Sequence, residues 1–163
     1  MPLLKGGKIT DDPWETVADD DDLPLNGHVI ISMDRWISER DSLIGHNSPL
    51  GLRLKSDQRP DDISDDLDRF GVVVLEFPTF KDGRAFSQAR RLRDRFKYRG
   101  EVRATGKVLR DQWAFMGRCG IDALEVEIAD AETTWVCAEK EVSVFYQPGA
   151  DRRPSVLALR HSD

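Results

Sequence analysis

The chain has 163 residues, 39% hydrophobic and 33% charged, which fits one domain with a core of ordinary size. Its net charge of −6 and the lack of any basic ribbon interleaved with aromatics argue against nucleic acid. No apolar run approaches the ~20 residues of a membrane span, and the N-terminus has no apolar signal segment, so the expectation is a cytoplasmic protein with no membrane partner.

Cys119 and Cys137 are the only cysteines. They exclude a disulfide framework and give no zinc or iron–sulfur spacing, so no metal is expected, and both read as small buried residues. Charge is uneven along the chain. Residues 1–70 carry 16 acids and 8 bases, residues 80–118 carry 4 acids and 12 bases, and residues 119–163 carry 9 acids and 4 bases. A basic middle flanked by acidic ends has two readings. It is an anion site or acidic-partner surface, or it is neutralised by the acidic segments folding over it.

In chain order, residues 1–27 read as a flexible acidic arm. The run Asp19–Asp22 repels itself and offers nothing to bury, while Trp14 is able to dock the arm onto the domain at 28–147. Val29-Ile30-Ile31 reads as a short buried strand, followed by a helical turn to about Ile44 and a loop at 45–49. Leu50–Leu54 is a strand. Pro60 and its neighbouring acids suit a helix start, with Ile63, Leu67 and Phe70 on one face.

Val72–Phe77 is apolar apart from Glu76, as in a strand covered on both faces of a parallel sheet. After Pro78, Asp82 caps a helix. Ala85, Ala89, Leu92 and Phe96 form its apolar stripe, and Arg84, Gln88, Arg91 and Arg95 line another face. A strand at 101–105 follows, then a helix opened by Arg110-Asp111-Gln112 with Trp113, Met116 and Phe115 inward. A strand lies at 123–126. Residues 131–146 read as a helix with Trp135, Ala138, Val142 and Phe145 on one side, or as a strand around Val142. Residues 148–163 read as a C-terminal tail. The alternation predicts an α/β fold, a single domain with a mainly parallel sheet of about five strands and flanking helices.

In open parallel sheets, ligands bind beyond the carboxyl ends of the strands, near helix N-termini. That rule selects Gly83, Arg84, Arg103, Arg110 and Gln112 for a small oxyanion or phosphorylated ligand, since guanidinium groups grip oxyanions in bidentate fashion. Asp111 or Glu76 would move a proton. Arg91 and Arg95 would face a partner. Each residue also has a plainer role. Asp82 is an N-cap, Arg84, Arg91 and Arg95 are a solvated helix face, Glu76 and Arg103 are a cross-strand ion pair, and Asp111 is a first-turn acid. His28, His46 and His161 form no ligand pattern. No G-x-G-x-x-G, Walker loop, G-x-S-x-G or H-E-x-x-H occurs, so the cofactor stays unknown.

The runs Glu76-Phe-Pro-Thr-Phe-Lys-Asp-Gly-Arg84, Tyr98-Arg-Gly-Glu-Val-Arg-Ala104, Val108-Leu-Arg-Asp-Gln112 and Arg118-Cys-Gly120 resemble a bacterial family catalogued as domain of unknown function 934. The resemblance is dense over residues 70–127. It departs at Lys107, where the family commonly has an acid, and at Phe96-Lys97. Members sit beside genes for sulfite reductase and the sulfonucleotide reductase, and are described on that ground as oxidoreductases of assimilatory sulfate reduction. The resemblance therefore implies an accessory protein of sulfite reduction with sulfite reductase as partner. The alternatives are a stand-alone enzyme acting on a small phosphorylated or sulfonated metabolite, and a non-catalytic interaction module.

Overall fold

Strands of alternating or unbroken apolar character build an eight-stranded mixed sheet, flanked by helices in one α/β domain. The computed structural model describes residues 2–127, 130–151 and 153–160, so His161 lies outside the described residues. The strands are β1 (Leu3–Lys5), β2 (Lys8–Thr10), β3 (Trp14–Thr16), β4 (His28–Ser32), β5 (Leu50–Leu54), β6 (Phe70–Phe77), β7 (Glu101–Gly106) and β8 (Ala123–Glu125). Their order is β2-β1-β8-β7-β6-β5-β4-β3. From β3 to β8 every pairing is parallel, while β1 is antiparallel to both β8 and β2.

The expected sheet of about five mainly parallel strands is thus corrected to eight strands in a mixed arrangement. The extra strands come from residues 3–16, where the sequence reading expects a flexible arm. Each is three residues long, too short to show a period, and only Leu3 and Leu4 of the first hairpin are buried.

The parallel strands follow one another in space as they do in the chain. Crossovers of one hand, all stepping in one direction, place every connection on the same face. The connections are α1 (Met33–Leu43), a 3₁₀ helix at Pro60–Arg69, α2 (Arg84–Arg90) with a π turn at Arg91–Arg95, and α3 (Trp113–Cys119). Val73, Leu75 and Phe77 of β6 point into one core with Trp36, Leu67, Ala85, Ala89, Leu92, Trp113 and Met116 from those helices. Their neighbours Val72 and Val74 lie on the opposite face.

Local signals place the helix ends. Ser32 Oγ accepts the Arg35 amide at 2.9 Å to start α1. Gly120, at φ +92°, ends α3 in the left-handed conformation. The helix expected at 131–146 stops at Glu141 as α4 (Ala131–Glu141), because β-branched Val142 turns extended. Within the expected tail, α5 spans Val156–Arg160.

The sheet is curled. Three residues connect β2 to β3, yet these strands are the two edges. Thr10 to Trp14 spans about 15 Å at most, whereas eight flat strands would set the edges about 34 Å apart. The segment 11–13 therefore straps the face opposite the helices. Beneath it Arg103 is fully buried, and its guanidinium donates to Asp12 at 2.6 and 3.0 Å and to Glu101 at 2.9 and 3.0 Å. Glu125 lies 3.6 Å away, and Lys5 donates to Glu101 at 2.7 Å.

Candidate functional site

The predicted strand-end arginines, Gln112 and Glu76 each meet a partner from their own chain. Arg84 grips Asp82 through Nε (2.9 Å) and Nη2 (2.7 Å), and Ser56 Oγ donates to the same carboxylate at 2.8 Å. The Arg84 guanidinium, then Ser56, then the Arg84 amide hold the Asp82 carboxyl well below the usual carboxylate range. Asp82 thus supports the turn one residue ahead of Gly83, the actual N-cap of α2.

Arg110 reaches Glu141 of α4 at 2.6 Å. Arg103 is sealed under the strap. Gln112 ties two loops, donating to the Phe80 carbonyl at 3.0 Å and accepting the Leu109 amide at 3.0 Å. Glu76 pairs with Arg53 of β5 at 2.5 Å rather than with Arg103. Arg91 and Arg95 both clamp Asp61 at the start of the 3₁₀ helix, so acidic residues do fold over this basic face.

Arg84, Arg103 and Arg110 therefore share neither a carboxylate nor a cavity. The reason lies in strand order. A strand-end crevice opens where neighbouring crossovers leave to opposite faces of the sheet, and here the run β3 to β8 steps one way only.

Asp111 lies elsewhere, in the wall of a separate cavity. This groove of about 550 Å³ runs between α3 and the segment 142–149. Arg90, Asp111, Phe115, Arg118, Phe145 and Tyr146 give it an amphipathic lining. Asp111 has no hydrogen-bond or ion-pair partner among the described residues. Arg118 of α3 ties the two walls together. Its guanidinium stacks 3.8 Å from the Phe145 ring centre, meets both oxygens of Asp151 at 3.2 and 3.3 Å, and donates to the Gln147 carbonyl. The Ala150 amide returns a bond to the Arg118 carbonyl at 2.7 Å. Phe115, expected inward, is 54% exposed and leans on Phe86 with ring centres 5.0 Å apart. Tyr146 is 76% exposed.

Residues 51–157 match the profile of the family described as "Bacterial protein of unknown function (DUF934)". The chain belongs to this family. No curated protein and no solved structure matches it. The DUF934 match takes in α3 and the segment 142–149, so both walls of the groove fall within the family region.

Among the described residues of this DUF934 protein, no helix is long and apolar enough to cross a membrane, and no group of three or more His, Cys, Asp or Glu could hold a metal ion. The groove residues Arg90, Arg118, Phe145 and Tyr146 escape sequence reasoning because they are far apart in the chain and follow no common period. The one available signal was the extended alternative around Val142.

Cys119 also lines the groove, and burial pushes its thiol up to about 11. It is therefore protonated at neutral pH and unready as a nucleophile. Cys137 is exposed. A thiol-specific disulfide reagent at pH 7 is expected to modify one cysteine per folded chain, and that cysteine is lost in Cys137→Ser. Reaction at Cys119 appears only as pH rises toward 11, or on unfolding.

Proposed function

We propose that this DUF934 protein is a cytoplasmic accessory protein of sulfite reduction that docks on sulfite reductase through the groove between α3 and residues 142–149. The pathway and the partner rest on the family resemblance. The docking mode rests on one observation. The arginines that suggested an anion crevice are occupied by internal carboxylates, whereas Phe115, Val142 and Tyr146 stand exposed around the groove. A small oxyanion would have to compete with an internal carboxylate at each arginine. An apolar partner surface needs only to cover side chains that water now wets, and aromatic anchors of this kind carry most of the energy in protein interfaces.

The basic face at Arg91 and Arg95 is a weaker docking candidate, because Asp61 already engages both guanidinium groups and offsets part of their charge. A second reading is favoured by Asp111, whose free carboxylate faces the same groove and would serve as a general base in an enzyme acting on a small phosphorylated or sulfonated metabolite.

Purified chain titrated against sulfite reductase separates the readings. Phe115→Asp and Tyr146→Asp should each weaken the complex at least about tenfold, while Arg91→Glu and Asp111→Asn leave it within about twofold. Unchanged affinity in both aromatic variants contradicts the docking mode. Turnover that disappears with Asp111→Asn supports the enzymatic reading instead.

A further inference from the structure

Asn26 and Asn47 are the only asparagines in the chain, and the fold treats the residues that follow them in opposite ways. An asparagine side chain is lost when the amide nitrogen of the next residue attacks its Cγ, so its fate depends on whether that nitrogen is free and open to approach. Asn26 stands before Gly27 in the connection from β3 to β4, where both residues are exposed and Leu25 beside them is 88% exposed. Gly27 sits at φ +111°, and a Cβ on it would meet nothing within 4 Å. Among the described residues its amide has no acceptor and the Asn26 side chain has no partner.

Asn47 is exposed as well, but the nitrogen behind it is held. Ser48 is buried, its amide donates to His46 Nδ1 at 3.2 Å, and its Oγ donates to the Leu25 carbonyl at 3.2 Å. Turning that amide onto Asn47 Cγ would break the first bond and move a buried residue. Asp82-Gly83 is the corresponding aspartyl pair. Arg84 and Ser56 grip the Asp82 carboxylate and keep it ionised, and a carboxylate resists attack by an amide nitrogen.

We propose that Asn26 is a site of spontaneous deamidation, a modification that the fold leaves open at Asn26-Gly27 and closes at Asn47-Ser48. The Gly27 nitrogen bonds to Asn26 Cγ, the Cγ–Nδ2 bond breaks, and the Gly27 N–H proton ends on the departing ammonia. The product is a cyclic imide, which water then opens. Cleavage between the nitrogen and Cγ leaves aspartate. Cleavage between the nitrogen and the Asn26 main-chain carbonyl carbon leaves isoaspartate, whose main chain runs through Cγ and is longer by one methylene. Nothing is oxidised or reduced, and either product adds one negative charge to the connection that enters β4. This assignment is independent of the docking reading.

The test is peptide mapping by mass spectrometry after incubation of the full chain in mildly alkaline buffer, folded or in urea. In the folded chain Asn26 should convert within about threefold of its rate in urea, giving paired aspartyl and isoaspartyl products. Asn47 should convert at least about tenfold more slowly folded than in urea, because the Ser48 amide is held. On isoelectric focusing the folded chain should accumulate an acidic form that Asn26→Gln abolishes and Asn47→Gln retains. The Asn26 side chain is exposed and unpartnered, so the urea midpoint of Asn26→Gln should match the parent. Conversion of Asn26 slowed more than about tenfold by folding, equal conversion of both asparagines in the folded chain, or an acidic form that persists in Asn26→Gln would overturn the assignment.

Discussion

Arg103→Met is expected to destabilise the fold by about 3–5 kcal/mol, the cost of removing one side of a buried ion-pair cluster. Arg103 is 0% exposed and stands among Asp12, Glu101 and Glu125. Methionine fills much of the volume but leaves three carboxylates converging, with Lys5 reaching only Glu101. Urea unfolding followed by fluorescence measures the loss as a lower midpoint. A loss under about 1 kcal/mol would mean that water reaches Arg103 and that the strap does not seal the face.

Trp14→Ala is expected to cost about 3 kcal/mol, at the low end for a tryptophan because its ring is only partly buried. The ring lies over the backbone of two strands beyond its own neighbour. A Cβ on Gly51 would sit 3.2 Å from it, and a Cβ on Gly71 would sit 3.0 Å from it. Ile30, Val72 and Val74 complete the small apolar cluster under the strap, and His28 meets the ring edge-on at 4.9 Å. β3 is an edge strand of three residues paired with β4 alone, so the tryptophan is its main anchor. Hydrogen exchange at Trp14–Thr16 should approach unfolded rates in the variant, while β6 and β7 stay protected. Retained protection at Trp14–Thr16 would show that the strap is held by Asp12 alone.

What could be read from the residues, and what could not, divides along physical lines. β4 to β8 and their connections are visible in chain order, because each strand has a buried face and each connection a 3.6-residue or turn signal. Val72–Phe77 and the Ala85-Ala89-Leu92 stripe are the clearest examples. Strand order leaves no such trace. Whether crossovers step one way or reverse depends on packing among distant segments, and the convergence of Arg84, Arg103 and Arg110 depended on a reversal that the sheet lacks. The strap was hidden for a related reason. Besides accepting the Trp14 amide, Asp12 holds the strap down through Arg103, 91 residues away. Asp111 was selected as a strand-end acid and does line a cavity, but the opposite wall belongs to a segment that reads as a continuing helix until Val142 turns extended.

The docking account is tested most directly by hydrogen exchange of the full chain alone and in excess sulfite reductase. It predicts slowed exchange in α3 and residues 142–149, with Arg84–Arg95 unchanged. Protection confined to Arg84–Arg95, or no change anywhere, would contradict it.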